Sequence, residues 1–349
     1  MQTKLEKLPE PLPGKPAGAL PPLGALPPLL RFFDRNRAIL ALLFVYLIGV
    51  FFAPNFFTPD GQSGLVRELS RFGILAAGMT LVIVTGGIDL SVGSILGLNA
   101  VLFSIFVIRM GIPWPFAVLL CLSLGGLIGL ISGTFVTGFG IQPFVATMAM
   151  MVAARGMAKL VSNQEKISTF FMNIKGDWIT VPMPQIFLWL DGSLPGTKIP
   201  IIFVLLLFCI GILWFISAKT PFGRYLYAIG GNEDAALLAG VKVRLNKIWA
   251  YVICGMTAAL AGICQAAAER QGDPESGQTY ELTTIAMVVI GGTTLTGGEG
   301  GVKYTLLGAF IIGCIDKILS LRGVSEAGRL IATGVIIIGA VLIQFRKKD

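Results

Sequence analysis

Apolar and polar positions in this chain fall into blocks rather than alternating residue by residue. Long apolar runs occupy 38–53, 72–88, 90–108, 115–136, 141–161, 199–217, 248–268, 283–297, 302–320 and 329–345. Most approach the roughly 20 residues that an α-helix needs to cross the hydrocarbon core of a bilayer. The pattern predicts an all-α polytopic membrane protein with about ten transmembrane helices. Two longer polar interruptions divide it, 162–198 and 219–247. Residues 1–36 hold eight of the 19 prolines, a density that forbids a regular helix and predicts a disordered tail. The predicted organisation is this tail followed by one transmembrane domain, 37–349.

The interruption 219–247 reads as a short amphipathic helix with its own punctuation. Asn232 is suited to cap its start, and Glu233 and Asp234 place negative charge in the first turn, where the helix dipole favours it. Ala235, Ala236, Leu237, Leu238 and Ala239 are good helix formers, and Gly240 sits where a C-terminal glycine stop belongs. A helix of about two turns is not stable alone in water, so the rest of the chain or a partner must hold it. An ordinary connecting loop with one helical turn fits the same spacing.

Counting spans from an inside start puts 219–247 in the cytoplasm, with the proline-rich tail. Lys242, Arg244, Lys247 and Arg346 then mark cytoplasmic ends, as the positive-inside bias requires. The segment 162–198, with Trp178 and Trp189, becomes a large outer loop.

Composition narrows the function. Only 13% of residues are charged, against roughly 25% in soluble domains. The net charge of +8 belongs largely to the ends of apolar runs, so it predicts membrane orientation and contact with lipid rather than nucleic acid binding. The chain has no histidine, and its five cysteines all lie in apolar stretches and read as small buried hydrophobes. No phosphate-binding Gly-rich loop with a Gly-Lys-Ser/Thr ending is present, so no catalytic residue, cofactor or metal site is predicted. Energy for any transport must come from an ion gradient or another subunit.

Several polar residues interrupt the apolar runs. Asp89 follows Gly86-Gly87, and an acid in apolar surroundings is costly enough to signal function. It either clamps backbone groups freed where a helix breaks or faces a permeation path. Asn99, Gln142, Gln265 and Glu281 are further candidates for a substrate pathway, since amides and carboxylates suit neutral hydroxyl-rich ligands. Each is equally able to bond a neighbouring helix. Arg155 and Lys159 share a helix face and read as snorkelling toward the outer surface. Gly125, Gly129 and Gly133 line one face and predict close internal helix packing. Gly86-Gly87-Ile-Asp-Leu90-Ser91 resembles Gly291-Gly292-Thr-Thr-Leu295-Thr296, which predicts a parallel internal repeat of spans 2–5 and 7–10.

The run Thr220-Pro221-Phe222-Gly223-Arg224, then Ala228-Ile229-Gly230-Gly231-Asn232, then Asp234-Ala235-Ala236-x-x-x-Gly240-Val241 resembles the coupling-helix signature of ABC importer permeases of the monosaccharide branch. Thr85 to Gly93 also resembles that family, and Ile141-Gln142-Pro143-Phe144-Val145-Ala146-Thr147 resembles its galactofuranose-type members. The resemblance implies a non-enzymatic permease subunit in the bacterial inner membrane. It implies an ABC ATPase docked at residues 232–240, a periplasmic sugar-binding protein and a second permease subunit. An ion-coupled secondary sugar carrier is the alternative, with Asp89 or Glu281 as the ion site.

Overall fold

A computed structural model describes residues 37–172 and 176–345. The predicted tail and the basic cluster Arg346-Lys347-Lys348 lie outside the described residues. The described chain is mostly helical. Its α-helices are α1 (Arg37–Phe52), α2 (Pro59–Val84), α3 (Val92–Ser104), α4 (Trp114–Gly138), α5 (Pro143–Ser162), α6 (Gln185–Leu190) and α7 (Ile201–Lys219). They continue with α8 (Pro221–Gly231), α9 (Glu233–Leu238), α10 (Val243–Glu269), α11 (Tyr280–Ile290), α12 (Val302–Leu321) and α13 (Glu326–Phe345). A π-helical turn, Ile105–Arg109, prolongs α3. One small hairpin, β1 (Phe170–Met172) against β2 (Trp178–Thr180), lies in the predicted outer loop.

Each predicted span overlaps a helix. Among the described residues, six helices are long and apolar enough to cross a membrane: Val92–Arg109, Trp114–Gly138, Pro143–Ser162, Ile201–Lys219, Val243–Glu269 and Val302–Leu321. Two shorter apolar helices, Ala38–Phe52 and Tyr280–Ile290, accompany them.

Helix α2 begins at Pro59, well before the apolar run that marks it in sequence. Thr58 caps it by accepting from the Gly61 N–H at 3.1 Å, and Asp60 stands in its first turn. Its polar first half hides the helix because the charges are used in the fold. Asp60 pairs with Lys198 at 2.5 Å, and Arg67 with Asp191 at 2.6 Å. At about 1.5 Å per residue the whole helix is about 39 Å long.

Helix α10 is the centre of the bundle, with α4, α3 and α2 packed around it. Its small residues Gly255, Ala258, Ala259, Ala261, Gly262, Ala266 and Ala267 permit that crowding. The stripe on α4 is used as the sequence implies. A Cβ on Gly125 would strike the Gly255 carbonyl, one on Gly129 the Tyr251 carbonyl, and one on Gly133 would stand 2.9 Å from the Ile248 Cα. All five cysteines are buried and unpaired.

Two helices are interrupted inside the bundle. After α2 the chain turns at Gly86 (φ 78°) and runs irregularly to Val92, where α3 starts. After α10 the segment 270–279 descends along α3: Gly272 lies against Ala100 and Val101, and Gly277 against Gly93. Helix α11 starts there and, at eleven residues, covers only about 16 Å. The starts of α3 and α11 therefore meet, and a Cβ on either Gly93 or Gly277 would run into the carbonyl of the other.

The two look-alike glycine segments share a turn. Gly86 N–H donates to Ile83 and Gly87 N–H to Val82; Gly292 N–H donates to Val289 and Thr293 N–H to Val288. Both Gly86 and Gly292 have positive φ, 78° and 100°, so the matched turns are offset by one residue from the sequence match, which aligned Gly86 with Gly291.

Candidate coupling surface and polar interior

The polar interruption 219–247 folds as two helices rather than one. Thr220 caps α8, accepting from the Gly223 N–H at 3.4 Å, with Pro221 at the first helical position. Asn232 is extended, ends α8 and starts α9, its Oδ1 accepting from the Ala235 N–H at 2.9 Å. Gly240 has φ 82°, and the bonds from Gly240 N–H to Leu237 and from Val241 N–H to Ala236 close α9. Ala236 is buried with Ile229 and Val243, and an ion pair joins Glu233 to Lys247. Leu237 and Leu238 point away, 61% and 89% exposed. The remaining first-turn acid, Asp234, and Ala235 are exposed as well.

Helix α8 is seated on both glycine breaks. A Cβ on Gly230 would collide with the Val84 carbonyl oxygen. The Tyr227 hydroxyl donates to the Gly300 carbonyl at 3.1 Å. Helix α8 therefore touches the chain at the ends of both α2 and α11.

The candidate pathway residues have different settings. Asp89 is fully buried, and one carboxylate oxygen accepts from the Ser91 N–H at 2.9 Å and the Ser91 hydroxyl at 2.5 Å. That is the clamp geometry, at the turn into α3; its other oxygen has no hydrogen bond among the described residues. Asn99, also fully buried, donates to the Ile95 carbonyl at 2.8 Å. Gln142 is exposed at the start of α5. Gln265 joins a polar chain: Arg71 donates to it at 3.1 Å, it donates to Glu269 at 2.6 Å, and Ser276 donates to Glu269 at 2.8 Å. Glu281 stands in the first turn of α11, against Gly93.

Arg155 does not snorkel. Its guanidinium turns inward and donates to the Pro274 carbonyl at 2.5 Å, the Ser276 carbonyl at 2.7 Å and the Gly93 carbonyl at 3.4 Å. Carbonyls of a non-helical segment lack internal partners, and the arginine fork supplies them. Lys159–Glu275 at 2.6 Å, Lys166–Asp273 at 2.9 Å and the bridge between Ile167 and Gly272 hold the same segment from outside. The Lys159 ammonium holds the Glu275 carboxyl below its ordinary range, and hydrogen bonding to Asp273 raises the Lys166 ammonium above its own. Arg71, Glu269 and Ser276 give little signal in sequence: Arg71 and Glu269 border apolar runs rather than interrupt them, and Ser276 lies in the polar stretch between two runs.

A family model described as a branched-chain amino acid transport system / permease component matches residues 63–344. The chain belongs to this permease family. The permease is 38% identical over 314 residues to the ribose import permease protein RbsC of Escherichia coli K12, covering 90% of this chain and 94% of that one. It is 33% identical over 318 residues to the galactofuranose transporter permease protein YtfT of the same organism, 88% and 89% covered. The fructose import permease protein FrcC of Rhizobium meliloti is 33% identical over 306 residues, 88% and 83% covered. With its six long apolar helices, the permease is a multi-pass inner membrane protein. Among its described residues, no cluster of three or more His, Cys, Asp or Glu is arranged to hold a metal ion.

Proposed function

We propose that this permease is the membrane-spanning subunit of an ATP-driven monosaccharide importer. Although the family description names branched-chain amino acids, the relatives compared above are named for sugars. A neutral, hydroxyl-rich cargo also suits the amide, carboxylate and guanidinium groups of the interior. On this reading ten helices enter or cross the bilayer, α1, α2, α11 and α13 joining the six long apolar ones. Spans 2–5 and 7–10 form a parallel repeat, with the matching glycine turns after α2 and α11 in support. Residues 219–247 face the cytoplasm and 162–198 face outward.

The observation that carries the reading is the exposed pair Leu237 and Leu238 on α9, which follows directly on the helix α8 seated against both glycine breaks. Two leucines on a polar cytoplasmic segment need a partner to cover them. An ABC ATPase provides it, docking on Asn232 to Gly240 and hydrolysing ATP itself. The movement passes through α8 to Val84 and Gly298, and thence to α3 and the short helix α11. A periplasmic sugar-binding protein delivers cargo to the outer face, and a second permease subunit completes the path. Asp89, Asn99, Gln142, Gln265 and Glu281 border that path or hold its walls.

Reconstituted vesicles test the reading. The purified chain alone moves no sugar under a proton or sodium gradient, and adding the ATPase, binding protein and ATP starts uptake. Gradient-driven uptake by the chain alone establishes the ion-coupled carrier instead, with the buried Asp89 as its ion site.

A further inference from the structure

Between α2, α11, α12 and α13, at the end of the bundle away from α9, lies a cavity of about 140 Å³. That is far above the roughly 10–15 Å³ that one water requires. Its walls combine an aromatic pair with charged and hydroxyl groups. The rings of Phe72 and Tyr280 are 4.3 Å apart, and the Thr283 hydroxyl lies on the same side as Tyr280, along α11. Across from them, Arg329 donates to Asp316 at 2.9 Å.

Two polar groups in this wall are left open. The Glu68 carboxylate has no hydrogen bond or ion pair to another described residue. The Nε of Arg329 is buried and has no partner either. A buried guanidinium N–H is costly to leave unpaired, and the Glu68 carboxylate on the same wall has acceptor capacity free for a ligand. A strong acceptor and a strong donor therefore flank a space walled partly by aromatic rings.

We propose that this cavity binds a neutral monosaccharide within the permease, a reading that rests on the sugar-import function above. Glu68 accepts from sugar hydroxyls, Arg329 Nε donates to a sugar oxygen, and Phe72 with Tyr280 covers an apolar face of the ring. A metal cation does not fit. Arg329 already neutralises Asp316, and no described cluster of carboxylates converges on one point. A sugar needs both hydrogen-bonding directions and an apolar contact, and the cavity offers all three.

The test uses the complete transporter in vesicles, with Thr283→Cys as a reporter in the cavity and Thr197→Cys on the exposed loop as control. Maleimide labelling is followed with D-ribose, D-galactose, D-xylose, D-fructose or sodium chloride added separately, and ATP-driven uptake of each sugar is measured in parallel. One of the sugars slows labelling of Thr283→Cys several-fold and leaves Thr197→Cys unchanged. Adding Glu68→Gln raises the sugar concentration needed by about tenfold, as expected for loss of a hydrogen bond to a charged group. Protection by no sugar, protection by sodium chloride alone, or protection unchanged in Glu68→Gln overturns the site. ATP-driven uptake without protection rejects the cavity and leaves the importer reading standing; absence of uptake for every sugar rejects the importer reading itself.

Discussion

The Gly298 N–H donates to the Val84 carbonyl oxygen at 2.9 Å, which ties the glycine break after α11 to the break after α2. Gly230 of α8 lies against both residues, with no room for a Cβ beside Val84. The ends of two membrane helices and the helix that leads into α9 therefore share one contact. On the proposed coupling, transmission through it would depend on the close approach that glycine permits.

Gly230→Val forces these backbones apart. Overpacking of this kind costs about 1–3 kcal/mol, so the variant melts at lower temperature in detergent and loses ATP-driven uptake out of proportion to its surface level. Gly231→Ala, where a Cβ meets nothing within 4 Å, leaves both nearly unchanged. Equal behaviour of the two variants contradicts the proposed transmission.

Removing the Arg155 fork exposes its importance for the second break. Arg155→Met strips the Pro274 and Ser276 carbonyls of their donor, and a buried unpaired acceptor costs about 1–3 kcal/mol. Amide hydrogen exchange in 270–279 rises several-fold, whereas exchange in α4 stays the same. Unchanged protection of 270–279 means the carbonyls are satisfied without the arginine.

Arg155 also shows where sequence reading stops. Its helix and position are plain from the apolar pattern, but its direction depends on a segment more than a hundred residues away that enters the bundle without regular structure. The first half of α2 was hidden for a similar reason. Arg67 and Asp60 look like loop residues until Asp191 and Lys198 are brought to them by tertiary folding. Local signals were more legible. Asn232 caps α9, Gly240 takes positive φ, and the glycines of α4 face α10, because each rests on backbone geometry that the residue type dictates. The α8–α9 division is not legible in the sequence, because Gly230 stays inside α8 and is packed against Val84 and Gly298.

The outer hold on 270–279 is pH-dependent at both ends of the scale. The Glu275 carboxyl is depressed, so Lys159–Glu275 stabilises fully above the ordinary carboxylate range and is lost as pH falls through the lowered value. The Lys166 ammonium is raised, so its pairing with Asp273 is complete below the ordinary lysine range and is lost as pH rises through the raised value. Protection of 270–279, corrected for intrinsic exchange, is therefore flat between roughly pH 5 and pH 10 and declines outside it. Glu275→Gln removes the Lys159–Glu275 share of the acid-side decline, leaving that of Lys166–Asp273, and leaves the alkaline decline in place.

The most direct measurement is made on the leucine pair of α9. Burying one leucine side chain contributes roughly 1.5–3 kcal/mol, so the double variant Leu237→Asp and Leu238→Asp removes most of the apolar contact offered to an ATPase. Because both side chains are exposed in the chain itself, the variant inserts and folds as the parent does. The partner ABC ATPase is co-purified with each form, and sugar-stimulated ATP hydrolysis is assayed. The account predicts loss of co-purification and of stimulated hydrolysis in the double variant; parental values of both would mean that α9 is not the coupling surface.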